Sequence, residues 1–177
     1  ELVSLSIPSP ERQTPPCPHL GTATHQCQGC PWMIARYEAQ LAQKQHRLTH
    51  LFQRHGLDTQ VLAPIWPSPL PLGYRARAQL KTDGQIIGYA GRQGQCIAPI
   101  EQCLVLRPKL QQQITELRAS LPNPAFTPGP GHQWSFLDID ETSSSDQLVL
   151  NRRRAFQQAN PEQNERMKEW LRVHLLA

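Results

Sequence analysis

The sequence predicts an α+β fold: a small antiparallel sheet with flanking helices and a cysteine-rich metal-binding loop. Three observations predict it. Tyr74 to Lys81 alternates strictly and runs into Asp83-Gly84, which reads as a strand and a hairpin turn. Apolar residues recur at helical spacing in three separate stretches. Cys27 and Cys30 form a C-x2-C pair, with Cys17 ten residues before it.

The elements follow in order. Residues 1–18 hold Pro8, Pro10, Pro15, Pro16 and Pro18 and read as an extended lead-in. The cysteine loop spans 17–30, with Gly21 and Gly29 giving turn freedom. Pro31 then opens a helix as its first residue. Ile34, Tyr37, Leu41, Leu48, Leu51 and Phe52 form its apolar face, and Gly56 ends it. Four prolines in 61–73 make a stiff linker. Tyr74, Ala76, Ala78 and Leu80 then face one way, while Arg75, Arg77, Gln79 and Lys81 give the strand a basic face. Gln85–Ala90 and Gln95–Ile100 are its partners. Pro108 starts a second helix, with Leu110, Ile114, Leu117 and Leu121 toward the core, stopped by Pro122. His132–Ile139 and Gln147–Arg153 flank a serine-rich turn at 143–145 and predict a second hairpin. Asn160 caps a last helix, with Pro161 at its first position and Met167, Trp170, Leu171 and Leu175 on one side.

Composition narrows the class. The chain has 177 residues, enough for one medium domain or two small ones. Only 38% are apolar and 18% charged, and 21 glutamines and 17 prolines fill the gap. No stretch approaches the roughly 20 apolar residues of a membrane span. No signal peptide is visible, so a cytoplasmic protein without a membrane partner is expected. The first residue is Glu1, so a processed, trimmed or longer parent chain is expected. The net charge is +4. Residues 61–120 carry seven basic and three acidic side chains, against five and four before and six and seven after. A polyanion surface should therefore be sought in the middle third.

The cysteines carry the strongest chemical signal. Five of them, with one C-x2-C, do not resemble a secreted disulfide framework. Four thiolates close a tetrahedral zinc site or hold an iron–sulfur cluster. Cys17, Cys27 and Cys30 need a fourth ligand from Cys96 or Cys103; His19 and His25 keep a Cys/His zinc site open. Arginines on alternate strand positions offer fork donors about 6.8 Å apart, suited to phosphates. Arg152-Arg153-Arg154 is a second basic cluster. No catalytic constellation is visible. Asp138 and Asp140 share a strand face and read as a solvated hairpin edge.

In order along the chain, these residues resemble a known family. Cys17-Pro18-His19-Leu20-Gly21 and Cys27-Gln28-Gly29-Cys30 look like the iron–sulfur motif of S-adenosylmethionine-dependent RNA (uracil-5-)-methyltransferases. Tyr37-Glu38-x-Gln40-Leu41, Tyr74-Arg75-x-Arg77-Ala78, Ile97 to Cys103 and Phe156-x-Gln158-x-Asn160 are similar to later family segments. The resemblance implies a four-iron four-sulfur cluster on Cys17, Cys27, Cys30 and Cys103, with Cys96 spare. It implies that Gln158 contacts the methyl donor or the target base, and that Phe156 approaches the RNA, where stacking offsets the cost of flipping a base. Arg75, Arg77 and Lys81 would grip a tRNA or rRNA.

It also implies a division of the chain: 1–60 for the cysteine loop and helix, 61–155 for RNA recognition, and 156–177 for the helix entering a methyltransferase domain. The family's catalytic cysteine and most of its S-adenosylmethionine site would lie beyond Ala177, leaving this chain inactive alone; a monomer is expected. In the whole enzyme, a cysteine thiolate adds to C6 of uridine, C5 takes the methyl group, and a base removes the C5 proton. Two rivals use the same residues: a stand-alone RNA-binding module with a structural metal, and a zinc-stabilised protein-interaction domain.

Overall fold

The computed structural model describes residues 5–144, 148–152 and 155–175. They form two units. One takes Cys30–Pro67 with the segment that ends at Pro18; the other takes His19–Gly29 and the chain from Ser68 onward.

The first unit is built around helix α1, Tyr37–Arg54. Pro31 does not open this helix. It opens a separate 3₁₀ turn, Pro31–Ile34, and Ala35 and Arg36 are extended between the two. The reason lies in the lead-in. Gln13 donates its backbone N–H to the Ile34 carbonyl, and its side-chain amide to those of Met33 and Ala35. Those carbonyls are therefore unavailable to a continuing helix. Arg36 pairs with Glu11 at 2.9 Å and fixes the same junction. Gly56, at φ +67°, ends α1 in the left-handed region as expected. The helix buries no side chain fully, and Leu48 and Leu51 are 41% and 50% exposed. Gln45 accepts from the Ile65 N–H at 2.8 Å, which ties the proline-rich linker back to the helix.

The second unit confirms the α+β class. Strands β1 (Arg77–Thr82), β2 (Ile87–Ala90), β3 (Ile97–Pro99) and β4 (Ser135–Asp140) make one antiparallel sheet in the order β3-β2-β1-β4. Helix α2, Pro108–Ala119, supplies Leu110, Ile114 and Leu117 to a core shared with Ala78, Leu80, Leu137 and Ile139. Each large side chain of this set contributes about 1.5–3 kcal/mol by leaving water. Gly88 lets β2 and β3 approach closely: a Cβ there would lie 1.9 Å from the Ala98 carbonyl oxygen. Helix α3 spans Pro161–Leu175.

Several predicted boundaries move. The alternation on β1 is real: Ala78, Leu80 and Thr82 are buried, and Arg77, Gln79 and Lys81 face away. The strand nevertheless begins at Arg77, not Tyr74. Arg75 donates to Val105 and accepts from Arg107, and Ala76 donates to Ala159, so this stretch pairs outside the sheet. Gln85 and Ile86 belong to the hairpin turn, where Asp83 Oδ1 accepts from both their N–H groups.

The second hairpin does not form among the described residues. β4 pairs with β1 instead, Arg77 opposite Asp140 through Thr82 opposite Ser135. Residues 148–152 are turn and coil; Asn151 reaches β4, donating to the Phe136 carbonyl and accepting from its N–H through Oδ1. The ends of the predicted strand, Gln147 and Arg153, lie outside the described residues, as do Ser145, Arg154 and Glu1. No described helix is long and apolar enough to cross a membrane.

Candidate functional site

Phe156 and Gln158 line one cavity of about 470 Å³ with Arg77, Asp140, Asn164 and Lys168. The placement is built by backbone and charge. Arg77 sits at the start of β1, and its guanidinium forks onto Asp138, at 2.8 Å for its closer contact. The third arm donates to the Ala155 carbonyl. Ala76 N–H donates to the Ala159 carbonyl at 2.9 Å. Residues 155 and 159 are thus fastened to Arg77 and to Ala76 just before β1, and Phe156 to Gln158 are exposed between them. Phe156 is 84% exposed, so it is not a core phenylalanine.

Neighbouring contacts hold the frame. Asn160 Oδ1 accepts from the Gln163 N–H and caps α3 as the sequence predicts. Arg107 bridges Glu141 and Glu162. The Asp138 and Asp140 reading is corrected: neither is a solvated edge. Asp138 is 6% exposed beneath Arg77, and Asp140 Oδ1 accepts from Thr142 and Ser143 in the turn after β4. A buried carboxylate needs such partners, because desolvation disfavours its charge.

The basic residues take different positions. Arg77 is held by Asp138 and Ala155 and is mostly buried. Arg75 is exposed, and its Nε donates to the Arg77 carbonyl at 2.9 Å. Lys81 rests 3.7 Å over the centre of the Trp134 ring. Burial lowers the Lys81 pKa from the ordinary lysine value.

None of the five cysteines is in a disulfide, and all are half-buried. Cys17 and Cys30 belong to the first unit; Cys27, Cys96 and Cys103 belong to the second. Tyr89 donates its hydroxyl to Cys103 Sγ at 3.6 Å. Its pKa is pushed far up, first by burial, then by Cys103, with Cys27 adding to it and Arg75 opposing. Cys27 and Cys103 are therefore both electrostatic neighbours of one phenol. Gln111 clamps Cys103, accepting from its N–H and donating to its carbonyl. Cys96 Sγ faces the Thr24 carbonyl at 3.1 Å. His19 Nε2 accepts from the Glu101 N–H, which occupies that nitrogen. Among the described residues, no three His, Cys, Asp or Glu side chains are gathered as a metal site.

Sequence reasoning missed Asp138 as the Arg77 partner, Tyr89 beside the thiols, and Gln111. Only the first had a signal: an aspartate in a strand, out of phase with its apolar residues, opposite a basic strand.

No family model matches the chain. It is similar to an uncharacterised RNA methyltransferase from Nitrosomonas europaea, 41% identical over 98% of this chain and 45% of that protein. A 23S rRNA (uracil(1939)-C(5))-methyltransferase from Acidithiobacillus ferrooxidans is 37% identical over 67% of this chain and 27% of its own length. A Thermotoga maritima RNA methyltransferase, also uncharacterised, is 34% identical over 59% of this chain and 23% of its own. The chain spans less than half the length of these relatives.

Proposed function

We propose that this chain is the RNA-recognition and iron–sulfur portion of an S-adenosylmethionine-dependent RNA uracil-5-methyltransferase. The similarity to an RNA methyltransferase along 98% of the chain carries the reading. The exposed Phe156 beside Gln158 supports it, because a base leaving its stack needs a new stacking surface and a hydrogen-bonding edge. Phe156 offers the first and the Gln158 amide the second. Arg77 positions both through Ala155, and Arg75 supplies a phosphate donor. The relatives' names favour this reading over a stand-alone binding module.

The donor set suits a cluster in its chemistry: none of the five thiols is tied up in a disulfide. Cys17, Cys27, Cys30 and Cys103 would hold it, with Cys96 outside the set. Such a cluster supplies a thiolate-held cross-link between distant parts of the chain. Gln111 fixes the backbone that presents Cys103.

The test is RNA binding by the purified chain across a salt series. Binding with a linear salt dependence is expected, and Arg75→Ala should reduce the slope by about 0.7 on single strands. Methyl transfer by the chain alone is not expected. Absence of RNA binding would remove the recognition role, and measurable methylation would remove the division of labour.

A further inference from the structure

The outer face of β1 and β4 carries a second cavity, of about 400 Å³, lined by Gln79, Lys81, His132, Trp134, Phe136 and Asn151. We propose that it is a stacking site for one unpaired RNA base, separate from the Phe156–Gln158 cavity; the proposal rests on the RNA-binding reading above.

Four observations carry it. The face is graded in charge. At its Arg77 end the cation is neutralised by Asp138, whereas Lys81 has no ion pair among the described residues. Lys81 is held by the Trp134 ring and stands opposite Phe136 in the ladder, so ammonium and aromatic surfaces rise together. A half-buried cation without a carboxylate suits a phosphate, and rings beside it suit a base.

The cavity also offers an edge. Gln79 is exposed. Asn151 keeps Oδ1 on the Phe136 N–H, while its Nδ2 lies 3.5 Å from Ser135 Oγ, at the limit of a hydrogen bond. The two amides give donors and an acceptor for the polar edge of a base.

Spacing links the two cavities. Lys81 is four residues along β1 from Arg77, about 14 Å. That span is within reach of a short extended stretch of single-stranded RNA. One single-stranded segment lying along β1 can then place one base at Phe156 and another at Trp134.

The experiment uses the whole chain, a 12-nucleotide oligouridylate, and a 12-residue abasic ribose-phosphate strand. Trp134→Leu should weaken oligouridylate binding roughly 5- to 150-fold and leave the abasic strand unaffected. Trp134→Phe should retain most of the affinity. Lys81→Met should reduce the salt slope on both strands by about 0.7. Gln79→Ala, an exposed change with no effect expected on folding, should weaken only the oligouridylate. If wild type binds, and Gln79→Ala and a folded Trp134→Leu both match it, this site is overturned and the Phe156 reading stands. If wild type binds neither strand, the recognition role falls and this site with it.

Discussion

Arg77 shows how one residue can do a job other than the one its type suggests. Its place on an alternating strand reads as a phosphate donor, and the alternation is correct. Its guanidinium, however, holds Asp138 and the Ala155 carbonyl. Removing it would leave a buried carboxylate without its cation. Arg77→Ala should therefore lower stability by about 3–5 kcal/mol in a denaturant titration. Arg77→Lys, which keeps charge but loses the fork, should recover part of it. A loss within about 0.5 kcal/mol for Arg77→Ala would show that the pair is not structural.

The thiols give the second residue-scale expectation. Cys103→Ser should abolish iron in anaerobically purified protein, whereas Cys96→Ser should keep it. Zinc at one per chain without iron would reject the cluster. Residue types were legible here, because C-x2-C is a local pattern. Partners such as Tyr89 and Gln111 were not, since they meet the thiol only through the sheet and α2.

At the scale of elements, the interiors were legible and the ends were not. Period-two burial on β1 and the apolar stripe of α2 follow directly from side-chain patterning. The ends depend on who claims the next backbone group. Gln13 stops the turn at Pro31 from joining α1, and Leu106 and its neighbours draw Arg75 away from the sheet. The missing second hairpin is a pairing choice of the same kind: β4 finds the free edge of β1, a partner more than fifty residues away. Gly88 marks a requirement that the sequence stated only as a glycine in a strand. Gly88→Ala should force β2 and β3 apart and lower the thermal midpoint, at a cost of about 1–3 kcal/mol or more. An unchanged midpoint would mean that the strands separate without penalty.

At the scale of the whole molecule, the fold class came through because short strands, an Asp-Gly turn and proline-started helices all agree. The discontinuous first unit did not, since nothing local says that 19–29 folds with residues beyond 68. The purified chain should show no methyl transfer, yet it should bind RNA with a strong salt dependence. Lys81 gives this a pH signature. Burial lowers its pKa, so the folded state binds protons less readily than the unfolded one, and stability from this residue rises with pH toward the ordinary lysine value. Lys81→Met should thus change stability near neutrality by under about 1 kcal/mol while weakening RNA binding.

The excursion of residues 19–29 into the second unit has a consequence for anyone cutting the gene. The chain passes from one unit to the other after Pro18, after Gly29 and after Pro67. No single stop codon or start site can therefore deliver either unit alone. A polypeptide ending at Pro67 would carry an eleven-residue orphan, and one beginning at Ser68 would lack the loop segment that Arg92 and Glu101 bind. Half-gene expression should give poorly soluble products, whereas replacing 19–29 by a short glycine-rich bridge is the cut that the topology permits.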